Sequence, residues 1–209
     1  MSGQLEALLG ESQQQGFIGP VDLAVHIQHA QGFAAAIPEA EVPGRVLDLG
    51  SGGGLPALVL ADRWTSTSFW LVEASQRKAG FLARAVEELG WAGRVVTLHG
   101  RAEDFGRQAD LRASVDLVTA RGFGPPGVTA ECAAPFLRVG GRLVVSEPPR
   151  DDVAEQLSRW PVDGLQGLGM VGQQAVVASG GHFAVLGQVA VCSDRYPRRV
   201  GIPAKRPLF

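Results

Sequence analysis

Residues 46–56 read Val46-Leu47-Asp48-Leu49-Gly50-Ser51-Gly52-Gly53-Gly54-Leu55-Pro56, an apolar run that breaks into glycines. Such a run, closed by glycines, is the pattern of a strand buried on both faces of a parallel sheet. The stretch that follows, Leu55 to Arg63, has helical composition. Strand, turn and helix in that order put the glycines at the carboxyl end of a strand, where open α/β sheets hold their ligands. Glycine at 50, 52 and 54 lets the backbone bend and approach a ligand with no Cβ in the way.

The alternation continues outward. Apolar runs at Ser68–Val72, Arg94–Leu98, Val115–Ala120 and Arg142–Val145 predict four more strands. Gln76–Leu89 predicts a helix, with Ala79, Leu82, Ala83, Val86 and Leu89 at three- and four-residue steps. Shorter helices are expected at Glu103–Leu111, Val128–Leu137 and Asp152–Trp160, with a turn at Gly140-Gly141. Gln174–Ala178 and Phe183–Val191, joined by Ser179-Gly180-Gly181, read as a hairpin. Strands alternating with helices build a parallel sheet. The expected fold is therefore α/β: a Rossmann-like, mostly parallel seven-stranded sheet with a C-terminal antiparallel hairpin. Residues 1–43 are expected to form an N-terminal helical extension that stops at Val42-Pro43-Gly44. Residues 44–194 would form the main domain and 195–209 a basic tail.

At 209 residues with 45% apolar and 19% charged side chains, the chain can bury a core without help from disulfides or metals. Cys132 and Cys192 lie far apart, outside any CxxC pair and without clustered histidines, so no disulfide and no metal site is expected. The stretch MSGQLEALLGES lacks the basic start and apolar core of a signal peptide, and no run reaches the ~18 apolar residues of a membrane span. A cytoplasmic location and no membrane partner follow as expectations. Net charge is −2, but residues 195–209 hold five basic side chains and no acid, against 14 basic and 21 acidic in the other 194. A basic tail on an acidic body suggests an anionic partner such as RNA, or else a solubilising or subunit-docking tail.

The turn also discriminates among nucleotides. A dinucleotide fingerprint needs glycine at 55, where Leu55 stands, and no GK[ST] triplet follows for a P-loop. Acid–x–G–x–G–x–G from Asp48, with a second acid closing the next strand, is the pattern of class I S-adenosylmethionine-dependent methyltransferases. That second acid is Glu73, placed to accept both ribose hydroxyl protons, unless it is an ordinary surface glutamate at a βα turn. The N–H groups opening the next helix would then face the methionine carboxylate. After the third strand, Gly100-Arg101-Ala102-Glu103-Asp104-Phe105 stands where a backbone N–H and an acid commonly meet the adenine, or where an acid simply caps a helix.

Together these segments resemble the RsmG (GidB) family, whose members methylate N7 of a guanine in small-subunit rRNA. The matching residues are Asp48 to Pro56, Gln76-Arg77-Lys78-Ala79-Gly80-Phe81-Leu82, Arg101 to Phe105 and Asp116-Leu117-Val118-Thr119-Ala120-Arg121. The tail, Arg195-Tyr196-Pro197-Arg198-Arg199-Val200-Gly201-Ile202-Pro203-Ala204-Lys205-Arg206-Pro207-Leu208, is the most specific of them. The resemblance implies S-adenosylmethionine as cofactor and small-subunit rRNA, free or in the assembled subunit, as partner. It implies that Gly50 and Leu55 border the methionyl and sulfonium part, that Ala102 and Glu103 contact adenosine, and that Arg121 lies beside both cofactor and target base. The chain departs from the family on the substrate side. It has His26 and His29 but no Asp-Ser after them, and its fifth strand ends in Val145-Ser146-Glu147 where the family has Leu-Lys-Gly.

Guanine N7 carries a lone pair and no proton, so its methylation needs alignment rather than a general base. The fourth strand ends Thr119-Ala120-Arg121-Gly122, without the Asn/Asp-Pro-Pro-aromatic motif of enzymes that methylate exocyclic amines. Arg121 is the candidate catalytic residue, holding a phosphate or the base's O6 through its planar fork, against an ion pair at a helix end. His99 and His182 read as structural, and Trp64, Trp70, Trp91 and Trp160 as scattered packing residues. Three other readings stay open: a paralogue acting on another nucleic acid or a small molecule, a non-catalytic cofactor- or RNA-binding module, and a nicotinamide oxidoreductase.

Overall fold

The computed structural model describes residues 1–149 and 157–209. Seven strands form one sheet in the order β3-β2-β1-β4-β5-β7-β6. They are β1 (Arg45–Leu49), β2 (Ser68–Glu73), β3 (Val95–His99), β4 (Val115–Ala120), β5 (Leu137–Glu147), β6 (Met170–Ala178) and β7 (Gly181–Gln188). The first five are parallel; β7 pairs antiparallel with both β5 and β6. The sheet has the expected class, with β7 inserted between β5 and β6. Strand order turns back on itself between β1 and β4, and their carboxyl ends form the switch point at which such sheets open a crevice.

The two faces divide along alternate residues of each strand. On one face Val46, Phe69, Leu71, Val144 and Phe183 pack with α1 (Gly3–Gln14), α2 (Leu23–Ala35), α3 (Ala57–Arg63) and α4 (Gln76–Glu88). On the other, Leu47, Leu49, Val118, Val145 and Ala184 pack with α5 (Ala102–Phe105), α6 (Pro126–Ala133) and α7 (Val162–Gln166). The last residues, with α8 (Ile202–Lys205), join this second face through Tyr196, Leu208 and Phe209. The N-terminal helices thus share the core of the sheet. Ser2 and Asp22 cap α1 and α2 by accepting the Leu5 and Ala24 N–H groups.

Several boundaries differ from the sequence reading. The helix expected at Glu103–Leu111 is the single turn α5, and Gly106 ends it. The helix expected at Val128–Leu137 begins at Pro126 and stops at Ala133, because Phe136 and Leu137 turn into β5. Gly140-Gly141 is a bulged passage within β5 rather than a turn before it; the β4–β5 register shifts there and Gly140 takes φ +85°. The hairpin strands are longer at the β6 end and shorter at the β7 end than expected. Of the helix expected at Asp152–Trp160, residues 152–156 lie outside the described residues.

Helix α2 comes close to β7, since a Cβ on Gly32 would stand 2.5 Å from the Phe183 ring. Phe33 and His29 flank that ring, with centroids at 4.9 and 5.3 Å. Phe183→Ala should therefore leave a cavity costing about 3–5 kcal/mol, read as a fall in the urea midpoint. A loss under about 1 kcal/mol would contradict this packing.

Candidate functional site

The glycine turn is held by its neighbour strand. Ser51 donates its N–H to the Val72 carbonyl (3.0 Å), and Gly52 donates to Oε2 of Glu73 (2.9 Å). The other Glu73 oxygen accepts the Ser75 N–H at 2.7 Å. Glu73 thus clamps the turn after β1 to the end of β2. Each carboxylate oxygen can accept two hydrogen bonds, so one lone pair on each is left for a ligand.

Above the turn lies a cleft of about 440 Å³, lined by Phe17–Gly19, His26, Gly50–Gly53, Leu55, Glu73, Lys78 and Arg121. The N-terminal layer supplies one wall. A Cβ on Gly53 would meet the Ser12 Oγ at 2.4 Å and Ile18 at 2.6 Å, so glycine there lets the layer sit directly on the turn. The Ser12 hydroxyl donates to the Gly53 carbonyl at 2.9 Å, and Phe17 packs edge-on against Phe81 of α4. Arg121, at the end of β4, is half-buried, and its Nη2 lies 2.7 Å from Nδ1 of His26. A guanidinium only donates, so Nδ1 accepts and the ring proton sits on Nε2, which faces the Gly19 carbonyl at 3.2 Å. His26 therefore fixes Arg121 across the mouth of the cleft.

A second pocket of about 190 Å³ adjoins the first, with Gly50, Glu73 and Phe123 in both walls. Its sides are Val72, Gly100–Glu103, Pro125, Val128 and Cys132, an apolar slot suited to a flat ring. The Phe123 ring divides the two; a Cβ on Gly50 would meet it at 2.9 Å.

The structure brings Gly50, Gly52, Leu55, Glu73, Ala102, Glu103 and Arg121 to the walls of one or other pocket. Asp48 and Gly54 do not reach the cleft, contrary to expectation. Asp48 is buried behind the turn, where Oδ1 accepts the Thr119 hydroxyl at 2.6 Å. Gly54 faces inward, and a Cβ there would strike Leu58 at 2.5 Å. The start of α3 is also not a free anion site: Pro56 has no N–H, and Leu58 donates to the Gly54 carbonyl at 2.8 Å. Lys78 and Arg121 are the cationic side chains in the cleft wall. The sequence alone gives no site role to Phe17, His26, Lys78 or Phe123; Phe17, His26 and Phe123 are placed by contacts with Phe81, Arg121 and the turn at Gly50, and Lys78 lines the cleft from α4. His29 is half-buried against the Phe33 and Phe183 rings; burial, with Arg121 and His26 adding, pulls its imidazole down to about 4. Among the described residues no group of three or more His, Cys, Asp or Glu could hold a metal, and no helix is long and apolar enough to cross a membrane.

The chain matches the family model described as rRNA small subunit methyltransferase G over residues 21–176. It is 34% identical over 179 residues to the ribosomal RNA small subunit methyltransferase G of Moorella thermoacetica, a match covering 84% of this chain and 73% of that protein. It is 34% identical over 176 residues to the protein of the same name from Chloroflexus aggregans, covering 79% and 70%. Among solved structures it is similar to a putative O-methyltransferase from Klebsiella pneumoniae, with a TM-score of 0.62, 16% identity and 91% of each chain covered. It is also similar to the mitomycin 7-O-methyltransferase, with a TM-score of 0.60, 15% identity and 79% and 54% of the chains covered. The structural likenesses show the methyltransferase fold.

Burial pushes the Asp48 carboxyl from 3.8 up to about 7, against the opposing pull of the Thr119 and Ser51 hydroxyls. The folded state then holds a proton that the unfolded state has lost, so this group's contribution to stability falls as pH rises from about 4 to about 7. Asn mimics the protonated form. The stability of Asp48→Asn relative to the unaltered protein should rise across that window, by up to about 1.4 kcal/mol per pH unit, and level off above it. Urea midpoints at pH 5 and pH 8 measure this, and an equal difference at both would contradict it.

Proposed function

This chain belongs to the rRNA small subunit methyltransferase G family, and from that premise we propose that it methylates N7 of a guanine in small-subunit rRNA, using S-adenosylmethionine, in the cytoplasm. The single observation that carries the reading is the paired cleft at the β1/β4 switch point, with a glutamate shared between a polar half and an apolar half. The residues present fit the cofactor. Glu73 keeps acceptor capacity where the two halves meet, as two ribose hydroxyls require. The apolar slot of Val72, Phe123, Pro125 and Val128 suits adenine, with Ala102 and Glu103 at its edge. Gly50, Gly52 and Leu55 border the methionyl part, and Lys78 or Arg121 would pair its carboxylate. Asp48 and Gly54 support the turn from behind.

S-adenosylmethionine supplies an electrophilic methyl group on a sulfonium. The protein's work is placement. Guanine N7 would bring its own lone pair to that methyl group, with S-adenosylhomocysteine as the neutral leaving group, so no residue of the chain would have to remove a proton. Arg121, held by His26, presents a donor fork beside the cleft for the base's O6 or a neighbouring phosphate. The Leu55 and Phe17 side chains keep the polar half partly shielded from water.

The acidic end of β5 is not a bare negative charge facing an RNA. Glu147 pairs with Arg159, and its Oε1 accepts the Trp160 indole N–H at 3.1 Å. That removes the main physical objection to a polyanionic substrate.

The test offers methyl-labelled S-adenosylmethionine with naked rRNA or small subunits from a strain lacking this modification, and identifies the product by nucleoside mass spectrometry. The expected product is 7-methylguanosine in small-subunit rRNA; cofactor binding without transfer to either substrate would overturn the reading. In the same assay Arg121→Ala should lower kcat/KM by about 100-fold. Unchanged turnover and unchanged cofactor affinity would remove Arg121 from the site.

A further inference from the structure

The basic tail is folded back onto the body. Arg198 meets Glu131 of α6 with both prongs of its guanidinium, Nε to Oε1 at 2.8 Å and Nη2 to Oε2 at 2.5 Å, and its backbone N–H adds a third bond to Oε1 at 2.8 Å. Glu131 has no exposed surface. Upstream, Arg112 donates to the carbonyls of Cys192 and Tyr196 at 2.8 Å, and Arg107 to that of Pro197 at 2.5 Å. Downstream, Gly201 donates its N–H to Oε1 of Glu103 at 3.0 Å. The turn at Gly201 starts α8, and Ala204 on that helix enters the wall of the smaller, adenosine-side pocket. Phe209 then lies against Gly127 and Gly164, where no Cβ would fit.

A carboxylate buried as deeply as Glu131 is strongly unfavourable without its partner, so the body is built to receive this segment. The two-pronged geometry also sets a register that a point charge would not set. Three residues beyond Arg198 the chain reaches Glu103, and six residues beyond it reaches the pocket. Glu103 is thereby oriented from the tail side while it faces the pocket from the body side.

We propose that residues 198–204 form a wall of the cofactor site, with Ala204 bounding the adenosine pocket and Glu131 and Arg198 as the positioning residues that hold that wall. The proposal rests on the cofactor reading above. It assigns to the tail a role that its charge does not suggest, since Arg198 is spent on Glu131 while Arg199, Lys205 and Arg206 stay exposed.

Calorimetric titration with two ligands tests it: S-adenosylmethionine, and 5′-methylthioadenosine, which keeps the adenosine and lacks the amino acid. Ala204→Leu should weaken both by the same factor, at least about tenfold, because the lost space belongs to the part they share. Thermal melting without ligand should stay close to that of the unaltered protein. Arg198→Met should weaken both ligands likewise, and Arg198→Lys should recover only part of the loss. If the unaltered protein and Ala204→Leu bind 5′-methylthioadenosine equally, the tail is no wall of the site and the proposal fails. If the unaltered protein binds neither ligand, the cofactor reading itself fails and takes this inference with it.

Discussion

The bond from the Gly52 N–H to the Glu73 carboxylate ties the end of β1 to the end of β2 across the turn, and the site is arranged around it. A charge-assisted bond of this kind in a half-buried setting contributes about 1.5–3 kcal/mol, enough to hold a five-residue stretch that has little regular structure of its own. With Ser51 bonded to Val72, it keeps the Gly50–Gly54 backbone open toward the crevice rather than wound into α3. The same carboxylate borders both pockets, so one residue fixes the turn and serves both halves of the cleft.

Around that clamp the molecule manages an unusual set of buried acids. Glu131 is matched by Arg198, Glu147 by Arg159 and Trp160, and Glu103 by the Gly201 N–H with Arg101 at 3.6 Å. Two of these partners lie in the last residues of the chain. Asp48 differs: it has no cationic partner bonded to it, only hydroxyl contacts led by Thr119, and burial raises its carboxyl toward neutrality. The ends of the chain are therefore parts of the site. The first 30 residues bring Phe17 and His26 over one half of the cleft, and the last 15 bring Ala204 to the other.

What the sequence shows is what local pattern can carry. β1, β4 and α4 follow from apolar runs and three- and four-residue steps, and the glycine turn with Glu73 follows from spacing along one βαβ unit. Pairings between distant residues leave no such trace. His26 and Arg121 are 95 positions apart, and Arg198 and Glu131 are 67 apart. Counting charges makes the tail look free, because the count cannot see that Arg198 is paired with a buried Glu131 and anchors the segment to the body. Asp48 and Gly54 have the residue types of a ligand-binding turn, yet the pleat of β1 and the start of α3 turn them inward, toward Thr119 and Leu58. Gly53 carries no pattern at all until the N-terminal layer is seen resting on it.

The central claim is that Glu73 both shapes the turn and receives the cofactor's ribose. Titration of S-adenosylmethionine into Glu73→Gln, beside the unaltered protein, tests it most directly. Gln offers one acceptor oxygen where Glu offers two, so it can satisfy only one of the Gly52 and Ser75 N–H groups as Glu73 does. The account predicts an affinity at least about tenfold weaker, together with a lower melting temperature. Full affinity in a protein of unchanged stability would contradict it.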